Sequence, residues 1–560
     1  MGYQANQPLI IQSDRTILLE VCHPEFEEVR DKLSAFAELV KSPEHIHTYR
    51  MTPLSLWNAA ASGVEAAEIL RFLRERSKFD LPDSLCKEMD EIISRYGRIE
   101  LIREEGMLVL RCTDPILLDE LGRSSGLKAW LQKGRNGCRR IAPEVRGLVK
   151  QELMKLGWPV RDLAGYSEGE TLPIRLREQT YSGETFRLRN YQRQAAEAFY
   201  RRGSNHGGNG VLVLPCGAGK TVVGLAVMAR VGRAALILTP NTTSVRQWVR
   251  EILDKTELTE DQVGEYTGER KQVKPVTVAT YQILTHRGGR GEFPHLDLFS
   301  RRDWGLIIYD EVHLLPAPVF RATADLQAKR RLGLTATLVR EDGREEDVFS
   351  LIGPKKVDVP WKELEKEQWI AQAACTEVRT PMDQERRREY ADAKQKQKYR
   401  IAAENPNKIL VLENILKRHK GEKVLVIGQY LHQLEEIAAR LQVPLLTGKT
   451  QQRKREELYD AFRRGEVPVL VVSKVANFAV DLPDARVAVQ ISGTFGSRQE
   501  EAQRLGRILR PKAGENKAHF YNLVSRDTVD QEYALNRQLF LVEQGYRYTI
   551  MDAEQWEEVE

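Results

Sequence analysis

No two cysteines in this chain stand in a C-x-x-C spacing. The six, Cys22, Cys86, Cys112, Cys138, Cys216 and Cys375, are scattered over 560 residues. That speaks against a structural zinc site, an iron–sulfur framework and a disulfide scaffold. Long apolar runs are missing too, since none approaches the ~18 residues of a membrane-spanning helix. The opening run Met1-Gly2-Tyr3-Gln4-Ala5-Asn6-Gln7 lacks the basic-then-apolar order of a secretory leader. These absences set the expectation of a reducing, cytoplasmic protein with no membrane partner. There is no internal repeat or long low-complexity tract. Neither sign of charge dominates: 85 Lys and Arg against 80 Asp and Glu leave a net +5. Overall charge therefore does not argue for nucleic acid, and local basic patches must carry that argument. What is present is globular composition, 41% hydrophobic and 29% charged, at a length that holds several domains.

The N-terminal part mixes patterns. Leu9-Ile10-Ile11 and 16–21 read as short strands around a Ser13-Asp14 turn. Residues 54–95 read as helical, with Leu70, Phe72 and Leu73 on the buried face. Residues 99–102 and 107–110 read as a hairpin closed at Glu105-Gly106. Residues 1–135 thus form a mixed α/β domain, and 136–187, rich in Gly, Pro, Arg and Glu, a linker. From Arg189 the rhythm changes. Apolar runs at 211–214, 235–239, 276–280, 305–309 and 331–335 alternate with helical stretches. A second series follows at 423–427, 443–446, 468–473, 486–491 and 519–524. Such alternation predicts parallel sheets covered on both faces, here two lobes, 188–365 and 406–560. Between them, 366–405 reads as a charged insertion or linker. Its core, 385–400, is a helix with no apolar stripe, as a solvated helix would be.

Three motifs carry chemistry. In the first, the apolar run 211–214 enters Pro215-Cys216-Gly217-Ala218-Gly219-Lys220-Thr221. This is a turn whose backbone N–H groups suit phosphate oxygens, with Lys220 for the β- and γ-phosphates of ATP and Thr221 for Mg²⁺. Leu214 occupies the position where the usual pattern has its first glycine. The helix that follows aims its positive end at the same anion. In the second, the strand 305–309 ends in Asp310-Glu311-Val312-His313. Asp310 suits the metal, and Glu311 the attacking water. In the third, Gln503, Arg507 and Arg510 share one helical face. The fixed guanidinium fork suits transferred phosphate, although a basic surface helix would read alike. Arg189 and Gln192 precede the phosphate turn, where the Gln192 amide could read an adenine edge. Thr335 and Thr337 close a strand where hydroxyls could link the ATP site to another surface. Thr239-Pro240 with Gln247-Trp248, and Thr280-Tyr281-Gln282, read either as hydroxyls and helix N-termini facing a nucleic-acid backbone or as core-edge packing.

The order of these motifs resembles a superfamily-two helicase. The resemblance implies an α/β fold of two RecA-like parallel-sheet lobes preceded by a mixed α/β N-terminal domain. Arg340-Glu341-Asp342 directly after the Thr335-Ala336-Thr337 strand end narrows this. So do Ser473-Lys474-Val475, Asp481-Leu482-Pro483, 498–507 and 537–546. At the other end, Pro8–Arg15 and Pro53–Ala60 agree. Together they are similar to the XPB family of DNA repair and transcription helicases in its bacterial and archaeal form. One departure is Ala479, where a glycine often stands. The resemblance implies an ATP- and Mg²⁺-dependent 3′-5′ DNA helicase of nucleotide excision repair, acting on single-stranded, duplex or forked DNA beside a nuclease or repair partner protein. It assigns Arg340, Glu341 and Asp342 to duplex opening, Arg507 and Arg510 to ATP, and 385–400 to a thumb-like insertion. The alternatives are a duplex translocase that does not separate strands and a scaffold protein switched by ATP.

Overall fold

The computed structural model describes every residue except 1–3, 34, 42–44, 135–136, 143–144, 165–167, 201–207, 289–292, 317–318, 320–329, 337–344, 474–484, 494–500, 502–503, 507, 510–515 and 555–560. The chain divides into two compact units. One is Met1–Leu214 with Gly219–Val359; the other is Pro215–Ala218 with Pro360–Glu560.

The first unit opens on a four-stranded antiparallel sheet, in the order Leu9–Ile11, Thr16–Glu20, Ile46–Arg50, Glu38–Lys41. The helical stretch expected over 54–95 is three helices, Pro53–Ser62, Ala66–Arg76 and Asp83–Arg95. The first break has a local cause. Gly63 sits at φ 96°, ψ 10°, and its N–H turns back to Ala59 and Ala60, the left-handed stop that glycine permits. The hairpin Ile99–Glu104 with Met107–Cys112 turns at Glu105 and Gly106, both at positive φ. It belongs to a five-stranded sheet that Arg139–Ile141 and Val160–Asp162 also join. The expected linker over 136–187 is therefore corrected. Its first half holds two strands and the helix Arg146–Lys155. A buried ion cluster anchors it, in which Arg146 and Lys150 both bind Asp162. Burial opposes the Asp162 carboxylate, but the two cations outweigh it and hold its carboxyl far below the usual range. The second half runs along the first parallel-sheet lobe, pairing at Thr171 with Arg233 and at Leu176 with Thr256.

That lobe is a seven-stranded, wholly parallel sheet. Its order is Val263–Tyr266, Val276–Thr280, Ala235–Thr239, Leu306–Asp310, Arg330–Thr335, Asn209–Val213, Lys355–Asp358. The five apolar runs of the first series are its central strands, buried along almost their whole length. Both edge strands escaped the sequence reading because they are short and half polar. The second unit repeats the plan with seven parallel strands, in the order Leu445–Leu446, Val469–Ser473, Val424–Gly428, Val487–Gln490, Lys517–Ser525, Gln372–Thr380, Tyr548–Asp552. Gln372–Thr380 pairs with Lys517–Ser525 over nine residues, so this part of 366–405 is sheet, not insertion. The charged segment is also two helices instead of one. Gln384–Asp392 buries nothing, whereas Gln395–Ala403 buries Tyr399, Ile401, Ala402 and Ala403.

Candidate nucleotide site

A buried strand, a glycine turn and a helix build the site. Asn209–Val213 is flanked on both sides by parallel neighbours, and the Leu214 N–H donates to the Thr335 carbonyl at 2.9 Å. The turn Pro215–Ala218 is closed by its own bond, Ala218 N–H to the Pro215 carbonyl. Gly217 and Gly219 both take left-handed φ, 82° and 78°, a conformation any side chain would strain. Gly219 is also the N-cap of Lys220–Val231, so the helix's unpaired N–H groups face the turn. A Cβ at Gly219 would lie 2.7 Å from the Gln192 amide nitrogen. Gln192 thus packs on the phosphate turn, its own oxygen accepting the Arg189 N–H at 3.0 Å.

Lys220, first in its helix, is ion-paired with Glu311. The strand Leu306–Asp310 reaches this point and turns sharply. Glu311 adopts φ 49°, ψ 55°, a left-handed conformation costing a β-carbon-bearing residue roughly 1–2 kcal/mol. This bend sets two consecutive carboxylates side by side, where a continuing strand would point them to opposite faces. Its N–H is satisfied by Asp310 Oδ1 at 3.0 Å. Asp310 is held from two further sides. The Trp248 indole N–H donates to Oδ2 at 2.9 Å, and the Tyr281 hydroxyl donates to the Asp310 carbonyl at 2.8 Å. Burial first, and the Glu311 charge second, push the Asp310 carboxyl up to about 6, against the pull of Lys220 and the Trp248 N–H. His313 Nδ1 lies 2.7 Å from the Thr335 hydroxyl and 3.6 Å from Glu311 Oε2. Thr335 therefore touches the Leu214 N–H at the end of the strand before the turn through its carbonyl, and His313 through its hydroxyl.

Lys220, Asp310, Glu311, Thr335, Gln192 and Gly219 are thus brought together, and Thr221 stands half-buried in the same helical turn as Lys220. Thr337, Arg340, Glu341, Asp342, Gln503, Arg507 and Arg510 lie outside the described residues. Trp248 and Tyr281 resolve to the core-edge alternative, being 1% and 3% exposed. Their polar tips hold Asp310 and do not face solvent. Likewise the Thr239 hydroxyl donates to backbone carbonyls and Thr280 caps the turn at Tyr281. Val245, Trp248 and Ile252, spaced three and four apart, form one buried helical face. That spacing was the available signal for Trp248.

The donor set suits ATP with a divalent cation. Two adjacent carboxylates and a nearby hydroxyl are hard oxygen ligands, and a lysine with a helix N-terminus offers positive charge for phosphate. Comparison with known proteins gives the family. A family model described as ERCC3/RAD25/XPB C-terminal helicase matches residues 364–560. One described as type III restriction enzyme, res subunit, matches 185–340. A third, described as helicase conserved C-terminal domain, matches 9–134 and falls on the N-terminal α/β segment. A DNA 3′-5′ helicase XPB of Kineococcus radiotolerans is 54% identical over 98% of this chain and 97% of its own length. The general transcription and DNA repair factor IIH helicase/translocase subunit XPB of Encephalitozoon cuniculi is 32% identical over 98% of this chain and 83% of its own. The ATP-dependent type ISP restriction-modification enzyme LlaBIII bound to DNA has a TM-score of 0.50 at 14% identity, over 67% of this chain and 32% of that one, a likeness of fold alone. With 54% identity running almost end to end, the chain belongs to the XPB family.

Proposed function

We propose that this chain is an ATP-dependent 3′-5′ DNA helicase/translocase that couples ATP hydrolysis to strand separation in nucleotide excision repair. The observation that carries the reading is the meeting of one ammonium and two adjacent carboxylates beside a glycine turn and a helix N-terminus. Lys220 exchanges Glu311 for the β- and γ-phosphates of ATP. Glu311, so released, orients a water and takes its proton as the water attacks. Asp310 and Thr221 would hold Mg²⁺, which when bound supplies charge neutralisation of the phosphates. Arg507 and Arg510 would face the same phosphates, as their match to the family motif implies. The His313–Thr335 contact carries the state of Glu311 to the strand that leads into Arg340, Glu341 and Asp342. DNA is gripped by its backbone, largely without reading bases, so binding weakens steeply with salt. A cytoplasmic enzyme working beside a nuclease or repair protein fits this reading.

The test is ATPase activity titrated with single-stranded, duplex and forked DNA, with Lys220→Ala as the inactive control. DNA stimulation that Lys220→Ala abolishes supports the proposal; a rate indifferent to DNA points to an ATP switch on a scaffold. The name helicase/translocase on the Encephalitozoon relative keeps a second reading, a duplex translocase. Triplex displacement without strand displacement would favour it.

A further inference from the structure

A buried polar network lies in the second unit. At its centre is Arg537, on the helix Val529–Glu543 and 0% exposed. Its Nε lies 3.7 Å from Glu501 Oε2, its Nη2 lies 3.8 Å from Asp530 Oδ1, and its Nη1 donates to the Tyr399 hydroxyl at 3.4 Å. Tyr399 in turn donates to the Gly493 carbonyl at 2.5 Å. Gly493 is where the guanidinium rests: a Cβ there would come within 2.6 Å of Nε and Nη1. Around this centre, Lys408 binds Asp530 at 2.8 Å and the Ile491 carbonyl at 3.1 Å. Glu501 accepts from the Gln490 amide at 2.9 Å and from the Tyr548 hydroxyl at 3.2 Å. Arg504 donates to Gln490 Oε1.

Keeping this many charges from water costs several kcal/mol per ion before pairing, so a stretch of apolar core would hold the lobe together as well. What apolar packing cannot do is fix direction. The guanidinium lies against Gly493 and within ion-pair distance of Glu501, which stand either side of 494–500 in sequence, and it donates to Tyr399 on the second charged helix. In sequence, Glu501 and Arg504 precede Arg507 by six and three residues.

We propose that Arg537 is a positioning residue for ATP hydrolysis. By gathering Gly493, Glu501 and Tyr399 around one guanidinium, it sets the pose of Glu501, six residues before Arg507 in the chain. The proposal rests on the reading of Arg507 as an arginine directed at ATP.

The experiment measures kcat and KM for ATP, with saturating DNA, on the full chain. The variants are Arg537→Lys, Tyr399→Phe, Arg507→Ala and the double variant Arg537→Lys/Arg507→Ala, with melting temperature as a check on folding. Lysine keeps the charge and loses the fork, and Tyr399→Phe removes one hydroxyl while keeping the ring. Arg507→Ala is expected to lower kcat about 10³-fold. Arg537→Lys should lower kcat about tenfold and Tyr399→Phe about threefold, each with KM within about twofold, because a misaimed arginine weakens the transition state and not ATP binding. On the Arg507→Ala background, Arg537→Lys should cost nothing further, since residues acting through one group are not additive. An equal loss on both backgrounds marks Arg537 as merely structural and overturns the proposal. So does unchanged kcat in both Arg537→Lys and Tyr399→Phe beside an impaired Arg507→Ala. If Arg537→Lys does not fold, Tyr399→Phe alone, and in combination with Arg507→Ala, decides by the same criterion. Unchanged kcat in Arg507→Ala itself overturns the reading of Arg507, and the proposal with it.

Discussion

Glu311 faces a choice of partner. Its carboxylate is paired with Lys220 and lies near His313, yet its proposed work is on water. Glu311→Gln keeps the shape and the left-handed bend but loses the base. It should bind a fluorescent ATP analogue at least as well as the parent, because Lys220 no longer leaves an ion pair to meet phosphate. Its kcat should fall by about 10²–10⁴-fold. Ordinary turnover in this variant removes Glu311 from the water role. Asp310 makes a different prediction. Its carboxyl is pushed up to about 6, whereas an unfolded aspartate titrates near 4. Between those values the unfolded chain has released a proton that the folded chain retains, so this residue's contribution to stability declines as pH rises through that window. In chelator, the melting temperature of Asp310→Asn relative to the parent should therefore climb from about pH 4 to about pH 6 and level off above. A difference that is flat across this range would mean an unshifted Asp310.

At the scale of elements, the helix Lys220–Val231 does more than end the phosphate turn. It lies so close to the helix Thr242–Lys255 that a Cβ at Gly224 would overlap the Trp248 ring. Glycine in a helix interior usually costs about 1 kcal/mol relative to alanine, so Gly224→Ala ought to stabilise by propensity alone. Overpacking of a buried site costs roughly 1–3 kcal/mol, and here the displaced ring is the one whose N–H holds Asp310. The expectation is that Gly224→Ala lowers both melting temperature and DNA-stimulated kcat. A variant as stable as the parent with full activity would show room for Trp248 to shift without consequence.

For the whole molecule, the consequence concerns coupling. Thr335 joins Leu214, the last residue before the phosphate turn, to His313, and the same strand continues in sequence toward Arg340, Glu341 and Asp342. Replacing those three with alanine should weaken strand displacement at least about tenfold more than DNA-stimulated ATP turnover, since an interaction used in opening and not in chemistry lowers one rate and spares the other. Equal losses would count against a duplex-opening role. The N-terminal segment joins the first unit through side-chain contacts with the first parallel lobe. Asn58 accepts the Lys355 N–H, Ser62 donates to the Lys355 carbonyl, and the Gln151 amide donates to Asp347.

Much of this was legible in the chain because the signals are local. A buried parallel strand must be apolar along its length, so all five central strands of the first sheet stood out, and four of the five in the second. A phosphate turn needs glycine where φ is positive, and the carboxylate pair is contiguous. The edge strands Val263–Tyr266 and Lys355–Asp358 were not visible, because an edge needs burial on fewer sides. Gln372–Thr380 was hidden inside a charged stretch, its pairing supplied by strands far along the chain. Residues joined only by folding were equally silent. The Trp248 and Tyr281 grip on Asp310, the Lys220–Glu311 pair and the Arg537 clamp each link positions tens to more than a hundred residues apart, and no short window contains both partners. Chemistry that consecutive residues can carry was thus written in order along the polypeptide, down to which lysine and which carboxylates. Which carboxylate is squeezed toward neutrality, which indole holds it and which charges are taken out of water depend on burial and through-space distance, and those exist only once the sheets have closed.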